Sequence, residues 1–132
     1  MTRTFIDSGV LIAAARGKDD VGSRAMAILA DPDREFASSI FVRLEVLPKA
    51  VFHNQGLEVE FYEAFFEAVS YWAEPVDQIA EGAYQQATRL GLSAMDALHV
   101  AAALHVGATE IVTTEGFQKP IHRATDIKIT SI

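Results

Sequence analysis

The chain has 132 residues, no cysteine and a formal net charge of −7 at pH 7. Its length suits a single domain, residues 1–132, whose core hides about two thirds of the unfolded surface. Disulfides and thiolate metal sites are excluded. No apolar run is long enough to span a membrane and no signal-peptide pattern precedes the first strand, so a cytoplasmic protein is expected. Such an acidic chain is no general electrostatic binder of nucleic acid. If it acts on a polyanion, bound divalent cations must supply the local positive charge.

The first β-prone run is Thr4–Ile6, followed by Asp7 and then by Ser8-Gly9-Val10-Leu11-Ile12-Ala13-Ala14-Ala15, which reads as a turn feeding a helix. Open parallel α/β sheets present site residues in this way, on a strand end that leads into a helix start. The ordinary alternative for Asp7 is helix N-capping. Asp19-Asp20 can open a second helix with Val21, Ala25, Ile28 and Leu29 on one face. Asp31-Pro32-Asp33 reads as a turn and Glu35–Ser38 as a short strand.

Ser39 is an N-cap candidate. Ile40, Leu44, Leu47 and Val51 then recur at helical spacing, which predicts a core-facing stripe with Glu45 beside it. Pro48 removes one backbone donor and is expected to bend this helix near Leu44. Leu57–Trp72 is the most aromatic segment, with Tyr62, Phe65, Phe66 and Val69 on one face and glutamates between them. Its aromatic surplus predicts a partner surface in addition to core packing. Glu74-Pro75-Val76 reads as a brief extended piece, and Asp77 as the cap of a helix with Ile79, Ala83, Ala87 and Leu90 inward.

Gly91–Ala108 holds the most buried helix. Ser93 caps it, Asp96 three residues on can complete a capping box, Gly107 stops it, and almost everything between is apolar. Asp96 is its one carboxylate, at the first turn. Glu110–Thr113 is a strand with Thr114-Glu115-Gly116-Phe117 at its carboxyl end, and Ile127–Ile129 a last edge strand. Strands alternate with helices, which predicts an α/β protein with a central parallel sheet sandwiched between helices.

Four carboxylates therefore fall at strand ends or helix starts: Asp7, Glu45, Asp96 and Glu115. In a parallel sheet those positions lie on one edge, so all four can line one cleft. Such a cluster repels itself unless it is protonated or neutralised. Carboxylate oxygens suit Mg2+ or Mn2+, and such ions activate water for phosphodiester cleavage. Ser8 and Thr113 are placed to hold the carboxylates by hydrogen bonds, one layer out from a metal.

The motifs F-I-D-S-G-V-L-I, S-S-I-F-V-R-L-E-V-L, S-A-M-D-A-L-H-V-A-A-A and I-V-T-T-E-G-F resemble, in order and spacing, those of PIN domains, and most closely the small VapC-type ribonuclease toxins. The resemblance runs over essentially the whole chain. It implies a three-layer α/β/α sandwich and a Mg2+- or Mn2+-dependent endoribonuclease acting on RNA. It also implies a homodimer and, commonly, an antitoxin protein that blocks the cleft. Asp7, Glu45 and Asp96 match the family's acidic positions as catalytic and metal-binding residues. Glu115 stands where the T-x-D motif has aspartate. The longer arm is expected to meet metal through water or to turn out of the cleft, weakening a second metal site.

His99 shares a helix face with Asp96 at i, i+3, which would suit a metal pair; a structural core role is the commoner use of such a histidine. Arg43, Lys49, Lys119, His122 and Arg123 are the candidate phosphate contacts. Two alternatives remain. One is a PIN-like binding module without catalysis. The other is a receiver-type aspartyl-phosphate protein, which the lone Asp7 and the absence of a mid-chain phosphoacceptor disfavour.

Overall fold

The computed structural model describes all residues, 1–132. Five strands form one sheet: β1 (Thr2–Ile6), β2 (Arg34–Ser38), β3 (Tyr71–Trp72), β4 (Glu110–Thr113) and β5 (Lys128–Ser131). The order is β3-β2-β1-β4-β5 and every pairing is parallel. Six helices accompany them: α1 (Ser8–Arg16), α2 (Asp20–Leu29), α3 (Ile40–Phe52), α4 (Gly56–Ala68), α5 (Val76–Leu90) and α6 (Ala94–His105).

The chain steps outward from β1 to β2 to β3, then returns to the other side of β1 for β4 and β5. With right-handed crossovers, α1–α4 cover one face and α5–α6 the other, giving the α/β/α sandwich. Phe5, Ile6, Ile111 and Val112 on the two central strands are wholly buried between these layers. The strand order reverses between β1 and β4. In open α/β sheets, the crevice at the carboxyl ends of such strands is where ligands bind.

At the opposite edge, Arg34 of β2 reaches across β1 to Thr4 (2.8 Å) and Glu110 of β4 (2.5 Å), while Thr130 of β5 donates to the other Glu110 oxygen (2.5 Å). This network ties four strands together. Burial would raise the Glu110 carboxyl, but the hydrogen bonds from Thr130 and Arg34 hold it below its ordinary value.

Several local expectations are corrected. Of the expected stripe Ile40, Leu44, Leu47 and Val51 only Leu47 is buried; the other three face solvent, and Val42, Val46 and Ala50 complete the buried face of α3. In the aromatic segment α4 ends at Ala68, one residue short of the expected face member Val69, and Tyr71–Trp72 form the short edge strand β3. Its aromatics are largely absorbed within the chain. Tyr62, Phe65 and Phe66 are buried, and Tyr71 lies under the Arg3 guanidinium, 3.6 Å from the ring centroid. Pro75, in extended conformation, and not Asp77, occupies the N-cap of α5, which begins at Val76.

Candidate metal centre at the sheet switch point

Asp7 follows β1 directly and caps α1, accepting from the Ser8 amide (2.9 Å). Its second oxygen accepts from the Thr113 hydroxyl at the end of β4 (2.7 Å). The same Thr113 oxygen accepts from the Glu115 amide (3.1 Å), so one hydroxyl links the first strand, the fourth strand and the turn after it. The capping role of Asp7 and its position in the crevice coexist, because the cap uses only one oxygen. Gly9, in the first turn of α1, allows this closeness. A Cβ there would lie 2.4 Å from the Thr114 hydroxyl.

Glu45 enters from the second turn of α3. Its Oε1 accepts from the Ser8 hydroxyl (2.5 Å) and lies 2.6 Å from His99 Nε2 on α6. Oε2 has no partner within the protein. His99 is 2% exposed, and its Nε2 also lies 3.8 Å from Asp7 Oδ1. Ligand atoms of Asp7, Glu45 and His99 fall within 4.8 Å of one another. Partial burial would raise the Glu45 carboxyl, yet the bonds from His99 and Ser8 and the nearby charges of His99 and Lys49 hold it below its ordinary value.

Asp96 stands in the first turn of α6. Its amide donates to Ser93 Oγ at 3.4 Å, but its carboxylate does not return the bond, so the capping box is one-sided. The half-buried carboxylate makes no hydrogen bond or ion pair in the chain. Burial, then the negative charge of Asp7, push its pKa up; His99 pulls it down, while Glu115 and Glu45 add to the rise. Asp96 thus feels all three other carboxylates, although it lies outside the tight group formed by Asp7, Glu45 and His99. Glu115 is exposed. Only its backbone is anchored, its carbonyl accepting from Ser131 Oγ (2.8 Å) and lying 2.9 Å from His122 Nε2.

This donor set fits a hard divalent cation. Two carboxylates held by hydrogen bonds, Asp7 and Glu45, act electrostatically on Asp96, an unpaired, half-buried carboxylate, and a partly desolvated anion of that kind calls for a counter-charge. Of the candidate phosphate contacts, Lys49 borders the site. Arg123 is committed to the carbonyls of Leu90 and Gly91 at the end of α5 (3.1 and 3.2 Å), and Arg43 lies beside Trp72 in separate surface hollows. The involvement of His99 with Glu45 was not read from the sequence. The i, i+3 spacing to Asp96 drew attention to the wrong partner.

Fold and site define an α/β protein with an acidic crevice at the sheet reversal. The PIN domain family model matches residues 4–119, and the chain belongs to that family. The fold is similar to that of VapBC2 from Rickettsia felis bound to a DNA fragment from their promoter (TM-score 0.74, 12% identity, 99% of both chains covered). It is also similar to VapBC-1 from nontypeable Haemophilus influenzae (TM-score 0.70, 17% identity, 98% of both chains). A toxin-antitoxin complex from Klebsiella pneumoniae is a further match (TM-score 0.63, 21% identity, 87% of this chain and 90% of that one). No match is found among curated protein sequences. Membership of the PIN family displaces the receiver alternative.

Proposed function

We propose that this protein is a VapC-type endoribonuclease, the toxin of a toxin–antitoxin pair, which cuts RNA with Mg2+ or Mn2+ held by Asp7, Glu45, Asp96 and Glu115. The observation that carries this reading is the carboxylate cluster at the switch point of a PIN fold, with Asp96 half-buried and unpaired. When bound, the ion neutralises the cluster, polarises the scissile phosphate and makes water a better nucleophile.

The chain's own residues supply the geometry. Ser8 and Thr113 fix both oxygens of Asp7, so its carboxylate plane is set before any ligand arrives. Ser8 and His99 converge on Glu45 Oε1 and leave Oε2 free. Asp96 is free of internal partners and is the carboxylate most available to a cation. Glu115, on a longer arm and exposed, is the weakest holder. The compartment is cytoplasmic, and residues 1–132 act as a single domain.

The partners follow from the same reading. The structural neighbours include VapBC complexes, which supports an antitoxin. The exposed stripe Ile40-Leu44-Val51 on α3 supports a homodimer, because a second copy would cover apolar surface that one chain leaves in water. Incubation with total and structured RNAs in Mn2+, Mg2+ or EDTA, with mapping of the cut ends, tests the activity. Discrete cuts with either metal and none in EDTA are expected. Intact RNA under every condition would contradict it.

A further inference from the structure

In a chain of net charge −7, cations near the acidic cluster are informative. A groove of about 670 Å3 lies between α1, α3 and α4, with Glu45 in its wall. α1 and α3 both run away from the cluster, their near ends tied by the Ser8–Glu45 hydrogen bond. On α3, Glu45, Lys49 and His53 follow at four-residue steps, stacked along one face about 6 Å apart. On the α1 side, Arg16 ends the helix and Lys18 follows it, and both line the same groove. The wall therefore changes from anionic to cationic with distance from the cluster.

Not all of that charge is available. Arg16 is paired with Glu58 across the groove (3.3 Å), and the two cancel. Lys18 and Lys49 are exposed and belong to none of the chain's ion pairs. A polyanion that places one phosphate at the cluster has further phosphates to either side, and these need cations of their own. On the other side of the cluster His122 and Arg123 are engaged with backbone carbonyls, which leaves Lys119, exposed and in no ion pair, against the two free lysines of the groove.

We propose that the groove between α1, α3 and α4 carries the sugar–phosphate backbone of the RNA on one side of the scissile bond, with Lys18 and Lys49 as its phosphate contacts. The groove rests on the endoribonuclease reading for its occupant. Its charge pattern is independent of it.

The test is binding of a fluorescent single-stranded RNA across a salt series. The proteins are full-length Asp96→Asn, which leaves the RNA uncut, with and without Lys18→Gln and Lys49→Gln. Both lysines are on the surface, so the fold is retained. Loss of two phosphate contacts on a single strand should make the slope of log affinity against log salt shallower by about 1.4, which is about 25-fold weaker binding at 0.1 M salt. Superimposable salt plots overturn the proposal, and cleavage of RNA by the parent would then leave the nuclease reading standing. A weakened salt plot alongside a parent that cuts no RNA keeps the groove and removes the nuclease. Unchanged RNA binding with lost binding of a polyglutamate peptide makes the groove a protein site and also overturns the proposal.

Discussion

His99 Nε2 lies 2.6 Å from Glu45 Oε1, while His99 Nδ1 is buried with no partner at all. A carboxylate oxygen only accepts, so Nε2 carries the proton. A metal on Nε2 would drive that proton to Nδ1, where nothing receives it, and histidine ligands ordinarily have a partner for the second nitrogen. His99 is therefore expected to hold Glu45 in place rather than to act as a ligand, despite its closeness to both carboxylates.

His99→Gln keeps an N–H donor near the position of Nε2 and should stay within a few-fold of the parent. His99→Ala should lose about 10- to 100-fold in metal affinity or cleavage, the usual cost of removing a ligand's support. Mn2+ titrations of cleavage, with circular dichroism to confirm folding, make the comparison. Equal loss in two folded variants would make His99 a ligand.

Asp96 predicts a stability effect of definite sign. Its folded pKa is raised above the ordinary 3.8 by burial and by Asp7. Its favourable contribution is thus complete below the unfolded pKa and is lost as pH rises through the folded one. At neutral pH without metal the charge costs stability. Asp96→Asn should melt at a higher temperature than the parent in EDTA, and Mn2+ should raise the melting temperature of the parent by more than that of the variant. A lower melting temperature for the variant in EDTA would contradict this.

Glu110 carries the opposite sign. Its folded pKa is depressed below 4.5, so its contribution is present above the unfolded pKa and is lost as pH falls through the folded value. Glu110→Gln should flatten the acid limb of the stability curve below about pH 5. Glu110→Ala should cost about 3 kcal/mol at neutral pH, because Arg34, only 16% exposed, loses its main partner. Urea unfolding across pH measures both.

The Glu115 arm is one methylene longer than the aspartate of the family motif. Glu115→Asp should lower the Mn2+ concentration for half-maximal cleavage, and Glu115→Ala should raise it. Three superimposable titrations would remove Glu115 from the metal site.

The strand ends were legible because their chemistry is local. Asp7 after T-F-I and Thr113 before Glu115 each announce a strand running into a turn, and the parallel sheet then brings them together. The α3 face was not. Ile40, Leu44 and Val51 have the spacing of a core stripe, but Val42, Val46 and Ala50 form an equally apolar stripe on another face, and only tertiary packing chooses between them. β3 was hidden for a similar reason. Two residues cannot show a period, and the aromatic run of α4 leads into them without a break in hydrophobicity. The groove residues Lys18 and His53 were missed because each is an ordinary surface residue until the helices are placed side by side.

Cleavage of one mapped RNA by the parent and by Asp96→Asn, in Mn2+ and in EDTA, tests most directly whether Asp96 and its neighbours form a metal-dependent RNA-cutting site. The parent should cut in Mn2+ and not in EDTA, and the folded variant should cut in neither. Equal cutting by parent and variant, or cutting that persists in EDTA, would contradict it.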